Sequence, residues 1–188
     1  MSDALRAPMT LAEFLAWEER QEFRHEFDGV RIVARTGGTF AHASIQRNLA
    51  ISIGGRLRGT RCTFVGSDLK ILSGRTSRYP DGVVTCSPTP NDATATPEPV
   101  VVFEVLSRST AGMDRLTKNR KYAGIPSIQR YIMLEQDRIE ATVFARSGGD
   151  WVGRILGPED VLLMPEIGIE VPVAELYDGL TFSPDQET

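Results

Sequence analysis

Glu104 is the single charged residue in the most apolar stretch of the chain, Pro99-Val-Val-Val-Phe-Glu-Val-Leu106, and a Pro80-Asp81 pair upstream opens a second β-branched run. A continuous apolar segment reads as a strand buried on both faces. An uncompensated carboxylate inside one costs on the order of several kcal/mol. Glu104 therefore calls for a basic partner, a shifted ionisation or a metal ion, and a second acid on a neighbouring strand favours the metal. The alternative is that Glu104 ends its strand with its head in water or meets an arginine. The segment that follows, Ser107-Arg-Ser-Thr110, leads small hydroxyl residues into a helix. The acid then lies near the carboxyl end of a strand, where open α/β sheets place ligands.

The elements that must position these acids follow from the pattern around them. Thr10-Leu-Ala-Glu13 has capping-box spacing and opens an amphipathic helix to about Glu22, with Leu11, Phe14, Leu15 and Trp17 on one face. Phe27-Asp-Gly29 signals a turn, and Gly29 to Ala34 reads as the second strand of a hairpin. From Phe40 to Leu57, Ile45, Leu49, Ile53 and Leu57 recur at steps of four, one stripe of a long helix that covers the sheet. Thr60–Val65, Leu69–Leu72, Val83–Cys86 and Val100–Leu106 read as strands. Between the two acid-bearing strands, Ser87–Pro99 is too polar to pack and predicts a mobile surface loop. A helix at Ala111–Ala123 and strands at Arg130–Leu134 and Ile139–Phe144 come next. Trp151 to Phe182 alternates short strands and turns with a short helix near Val173–Tyr177, and residues 183–188 fray. This order predicts a mixed α/β sandwich with a central sheet flanked by helices.

With 188 residues, 41% hydrophobic and 24% charged, the chain has the size and composition of one soluble domain spanning 1–188. No apolar run reaches the length of a membrane span, and Met1–Thr10 lacks the basic-then-apolar order of a secretory signal, which predicts a cytoplasmic protein. Cys62 and Cys86 have no Cys-x-x-Cys spacing and His25 and His42 form no ligand motif, which argues against structural zinc. Two reduced, partly buried thiols are expected. A net charge of −4 and a pI near 5.3 exclude a protein that coats nucleic acid by overall charge, so any such contact is local. The densest basic segment places Arg115, Lys118 and Lys121 on one helical face, with Arg75 and Arg78 as further cations. A solvated face has the same signature.

Taken together, His25-Glu-Phe-Asp-Gly29, His42, Gly66-Ser-Asp-Leu-Lys70, Tyr79-Pro-Asp81 and Glu104-Val-Leu-Ser-Arg-Ser-Thr110, followed by Asp114, Lys118, Tyr122 and Tyr131, resemble the Uma2 family within the restriction-endonuclease-like PD-(D/E)xK superfamily. The resemblance spans about residues 9 to 180. It implies a restriction-endonuclease-like fold and a metal-dependent endonuclease acting on DNA, with Mg²⁺ or Mn²⁺ as cofactor. Asp81 and Glu104 match the two metal-holding acids, the main-chain carbonyl of Val105 is a further ligand, and Glu26 matches an acid near the end of the family's first helix. That last residue reads equally as a surface acid after a frayed helix.

The sequence departs from the pattern at Leu106, where the second motif normally carries lysine. Lys118 matches the family's helix lysine and is the first substitute, with Lys70 the second. Asp68 then reads as a strand-entry residue, because Asp68-Leu-Lys70 precedes Pro80-Asp81. Arg108 stands where proline is common and can bind phosphate with Arg115, Lys121 and Lys70. Val30 stands where an acid often follows the Asp-Gly turn. His42 reads mainly as a helix cap. Cutting both strands of a duplex with one site per chain suggests a homodimer, an argument that assumes the activity. The alternative is a catalytically silent nucleic-acid or protein-binding module that keeps the fold.

Overall fold

Thr10 caps the first helix, α1 (Leu11–Glu18), through the predicted box: its hydroxyl accepts the Glu13 N–H, and the Glu13 carboxylate accepts the Thr10 N–H. The helix ends at Glu18 rather than near Glu22, because Glu18 turns inward as a buried acid and the chain leaves to form a strand. The computed structural model describes residues 9–35, 37–106, 113–148 and 150–182, and only the backbone of 113–117. The prediction for 183–188 lies outside these residues.

Two strands follow, β1 (His25–Phe27) and β2 (Ile32–Ala34), and then the long helix α2 (Phe40–Arg56). Next come β3 (Thr63–Gly66), β4 (Ile71–Ser73), β5 (Thr76–Arg78), β6 (Gly82–Thr85) and β7 (Pro99–Leu106). The helix α3 (Met113–Ala123) leads into β8 (Arg130–Glu135), β9 (Ala141–Ser147), β10 (Asp150–Leu156), β11 (Val161–Met164) and β12 (Ile169–Pro172), and Val173–Tyr177 is a short 3-10 helix. The central six-stranded sheet runs β10-β9-β8-β7-β6-β3, and a smaller antiparallel sheet runs β2-β1-β5-β4. In the central sheet β7 and β8 alone are parallel. Parallel neighbours need a long crossover, which α3 supplies. The fold is therefore mixed α/β, with helices against a central mixed sheet.

Alternation along β7 divides the core. Val101, Phe103 and Val105 face the α2 stripe of Ile45, Leu49, Ile53 and Leu57, all buried. Val102 and Leu106 face the other way, toward Tyr122 of α3, Tyr131, Met133 and Ile71. By the two-residue period Glu104 shares the face of Val102 and Leu106. A lone acid is thus held inside the cluster that α3 covers.

Three sequence expectations change. Cys62 and Cys86 form a disulfide, with Cα atoms 3.9 Å apart, rather than two thiols. The β3–β6 register pairs Thr63 with Thr85 antiparallel, so Cys62 just before β3 faces Cys86 just after β6, an adjacency that linear spacing conceals. The segment Ser87–Pro99 also packs in part. Thr96 is buried and donates its N–H to the Lys70 carbonyl at 2.8 Å, and the Thr85 hydroxyl donates to the Pro97 carbonyl at 2.6 Å. Its polar groups find main-chain partners instead of water. Finally, β5 forms beside β1 and β4 where no strand was expected. Among the described residues, no helix is long and apolar enough to cross a membrane.

Candidate active site

The β6–β7 register, which pairs Gly82 with Phe103 and Val83 with Val102, brings Asp81 alongside Glu104 and Val105. The Val105 N–H donates to Asp81 Oδ2 at 2.7 Å, and the Asp81 N–H donates to the Phe103 carbonyl at 3.0 Å. In a ladder the N–H and C=O of one residue face the same neighbour, so the Val105 carbonyl opens on the edge that carries Asp81. Asp81 Oδ1 also accepts Gln46 Nε2 at 2.7 Å and Arg35 Nη2 at 3.0 Å, while His42 Nε2 lies 3.4 Å from Oδ2. Burial works to raise the Asp81 pKa. The His42 hydrogen bond and charge, the Val105 N–H and the Arg35 charge outweigh it, and the carboxyl is held below the usual aspartate value.

Glu104 has the opposite balance. Its Oε1 accepts the Tyr122 hydroxyl at 3.0 Å and its Oε2 accepts Lys118 Nζ at 3.0 Å, with the side chain only 7% exposed. Burial pushes its pKa up, Lys118 offsets part of that, and the charges of Asp81 and Glu26 push it up further. Three carboxylates therefore feel one another in a space closed to water.

Glu26 lies on β1 and not at the end of a helix, which corrects its expected setting. Its Oε1 accepts the Tyr79 N–H at 3.0 Å, and Arg78 Nη1 lies 3.4 Å from Oε2. Arg35 spans the two acids: one guanidinium nitrogen reaches Asp81, while the other lies 3.9 Å from Glu26 and donates to the Tyr79 carbonyl. The acid on the first helix is Glu18, and its partners are Lys70 Nζ at 2.8 Å and the Tyr79 hydroxyl at 2.9 Å. The Glu18 pKa is lowered although burial opposes it, and the Lys70 pKa is raised on the same terms, as in a closed ion pair. Lys70 is buried and bonded to Glu18 rather than to Asp81 or Glu104.

Of the expected basic residues, the structure brings Lys118 to the acids. Lys121 donates to the Asp28 carbonyl at 2.8 Å, tying α3 to the β1–β2 turn. Arg75 is exposed, whereas Arg78 is buried against Glu26 and gives no surface charge. Asp68 is exposed and pairs with Arg24 at 2.6 Å. Arg108 and the side chains of Asp114 and Arg115 lie outside the described residues. Thr39, not His42, caps α2, accepting the His42 N–H at 3.2 Å and leaving the imidazole for Asp81. A cleft of about 450 Å³ opens there, lined by Arg24, Arg35, Gly38, His42, Gln46 and Ser67. A Cβ at Gly38 would come within 3.0 Å of the His42 ring, so a larger residue would crowd that ring.

Arg35 and Gln46 were not anticipated. Gln46 had a readable signal, since it follows His42 by one helical turn on the same face. Arg35 had none. The donor chemistry suits a hard cation: buried carboxylates on neighbouring elements and a main-chain carbonyl on the same edge. Among the described residues no three His, Cys, Asp or Glu side chains form a ready-made metal cluster. An ion would compete with Arg35 for Asp81 and with Lys118 for Glu104.

A family model described as "Putative restriction endonuclease", named Uma2, matches residues 11–174. The chain belongs to the Uma2 family. Similar proteins include slr1290 of Synechocystis sp., 36% identical over 174 residues that cover 90% of this chain and 92% of that one. A second Synechocystis protein, sll1609, is 29% identical over 133 residues, 68% of this chain and 75% of its own. A crystal structure titled as a putative nuclease belonging to DUF820, from Anabaena variabilis ATCC 29413, superposes with a TM-score of 0.71 at 19% identity, covering 90% of this chain and 98% of that one. At that identity the likeness is one of fold.

Proposed function

We propose that this Uma2 protein is a metal-dependent endonuclease that hydrolyses phosphodiester bonds in DNA at the Asp81–Glu104 centre. The observation that carries this reading is the Lys118 ammonium 3.0 Å from the Glu104 carboxylate. A motif lysine at position 106 would share the β7 face of Glu104. Leu106 fills that place with an apolar side chain, and α3, which covers the same face, returns an ammonium to the acid.

Asp81, Glu104, the Val105 carbonyl and Glu26 would hold Mg²⁺ or Mn²⁺. Such an ion supplies a nucleophilic hydroxide and neutralises charge on the phosphodiester. The chain's own residues prepare the rest. Arg35, Gln46 and the Val105 N–H fix the Asp81 carboxylate in one orientation and keep it ionised. The Tyr122 hydroxyl likewise fixes the orientation of Glu104 from the apolar side. Lys118, 3.0 Å from Glu104, is close enough to hold the attacking water or a non-bridging phosphate oxygen. Arg24 brings a guanidinium to the lining of the adjoining cleft, suited to a neighbouring phosphate.

The competing reading is a catalytically silent binding module, favoured by Leu106 and by carboxylates already satisfied by protein donors. Nicking of supercoiled plasmid separates the two. Nicked and linear forms should appear with Mg²⁺ or Mn²⁺ and disappear with EDTA, with Asp81→Asn and with Glu104→Gln, and a parallel RNA substrate tests the preference for DNA. Retention of plasmid without cleavage at any metal concentration would replace the nuclease reading with the silent one.

A further inference from the structure

The outer strand β10 forms seven consecutive pairs with β9 without a bulge, from Asp150↔Ser147 to Leu156↔Ala141, and no described strand pairs with its other edge. Exposed edges are usually blunted by proline, lysine or a bulge. The sequence Asp150-Trp-Val-Gly-Arg-Ile-Leu156 has none of these, and its two charges, Asp150 and Arg154, are of opposite sign, so they can pair with a second copy instead of repelling it. It also leaves Val152 49% exposed on the face of Leu163 of β11, itself 54% exposed, and Ile155 67% exposed on the other face.

Which groups this edge offers follows from its neighbours. The Arg146 N–H donates to the Gln129 carbonyl, away from β10, so the main chain of Ala145 points toward β10 and meets its partner Val152. By alternation, Trp151, Gly153 and Ile155 present their N–H and C=O groups outward. A second copy added antiparallel must match outward residues with outward residues. Setting Trp151 against the second copy's Gly153 places Val152 on the twofold axis and Asp150 opposite the second copy's Arg154, twice over.

Among the described residues neither Asp150 nor Arg154 makes a salt bridge within the chain. A Cβ at Gly153 would lie 2.7 Å from the Phe144 ring, so that ring already covers the glycine and requires it to be small. Trp151 stacks on the same ring, so Trp151 and Phe144 form one aromatic layer on this face of the edge. On the opposite face, Val152 and Arg154 border an apolar groove of about 290 Å³ with Val143, Leu156, Leu162 and Leu163. A second copy would extend this groove across the twofold axis.

We infer that two copies of this chain associate through their β10 edges, in the register that pairs Asp150 with Arg154 of the second copy, into one sheet continuous across both molecules. The chemistry at Asp81 and Glu104 does not enter this argument. Sedimentation of the full chain across a micromolar dilution series tests it, with far-UV circular dichroism to verify that each variant is folded. The wild type should sediment as a dimer. Asp150→Arg or Arg154→Asp sets like charges together at two symmetric places and should weaken the dimer by about tenfold in Kd or more. The double exchange D150R/R154D restores opposite charges and should restore the dimer. A monomeric wild type, a dimer indifferent to both single reversals, or folded single variants not rescued by the double exchange overturns the inference.

Discussion

Glu104 and Asp81 sit side by side with ionisations displaced in opposite directions, and that difference reaches the stability of the fold. The raised Glu104 pKa means that the folded state keeps a proton where the unfolded chain has lost it, so its contribution to stability falls as pH rises above the ordinary glutamate range. The lowered Asp81 pKa acts in reverse, giving stability that is present above about pH 4 and lost as pH falls through the folded value. Glu104→Gln removes that pH-dependent part but also takes the carboxylate from the Lys118 ammonium, so its melting should vary less with pH through and above the ordinary glutamate range than that of the wild type. Asp81→Asn should melt lower at neutral pH, with its deficit shrinking below about pH 4. Thermal melts of the three proteins from pH 7.5 downward check both trends, and a Glu104→Gln protein whose melting follows pH as the wild type's does would sink the account. The two acids were legible in the sequence because a charge in an apolar strand demands an explanation. Their partners were not, since Arg35 and Gln46 meet Asp81 only after the hairpin and α2 have folded onto the sheet.

At the level of elements, periodicity carried information wherever an element packs one regular face. The step-of-four stripe of α2 and the apolar run of β7 appear where the pattern placed them, because burial enforces them residue by residue. Elements fixed by distant partners were concealed. β5 exists through its pairing with β1 and β4, and Thr94 to Thr96 are held by Lys70, far away in sequence. The helix α3 belongs to the first kind, and its orientation over β7 brings Lys118 to 3.0 Å from Glu104. If Lys118 stabilises charge developing on phosphate, Lys118→Ala should lower the single-turnover cleavage rate by about 10²-fold or more while DNA affinity without metal changes little. Loss confined to binding would assign Lys118 to phosphate contact and remove it from the chemistry.

For the molecule as a whole, the Cys62–Cys86 disulfide ties β3, the edge opposite β10, to the end of β6, and it sets the cytoplasmic expectation against the chemistry of the chain. A reducing compartment keeps such cysteines as thiols, whereas an oxidising one closes them. The bridge spans 24 residues of sequence, and no described cysteine is free. A cross-link over a loop of that length restricts the unfolded chain enough to stabilise the fold by roughly 3 kcal/mol. Protein purified without reductant should therefore show no titratable thiol, and dithiothreitol should expose both and lower the denaturant midpoint by an amount matching that stabilisation. A Cys62→Ser, Cys86→Ser double variant should start at the reduced midpoint and ignore dithiothreitol. Because the bridge holds the start of β3 to the end of β6, the strand that Asp81 precedes, plasmid nicking before and after reduction asks whether the proposed activity depends on it. Glu104 and Lys118 are held by β7 and α3, so cleavage should survive reduction at temperatures where the fold does. A wild-type midpoint unmoved by dithiothreitol would show that the cysteines are not bridged in solution.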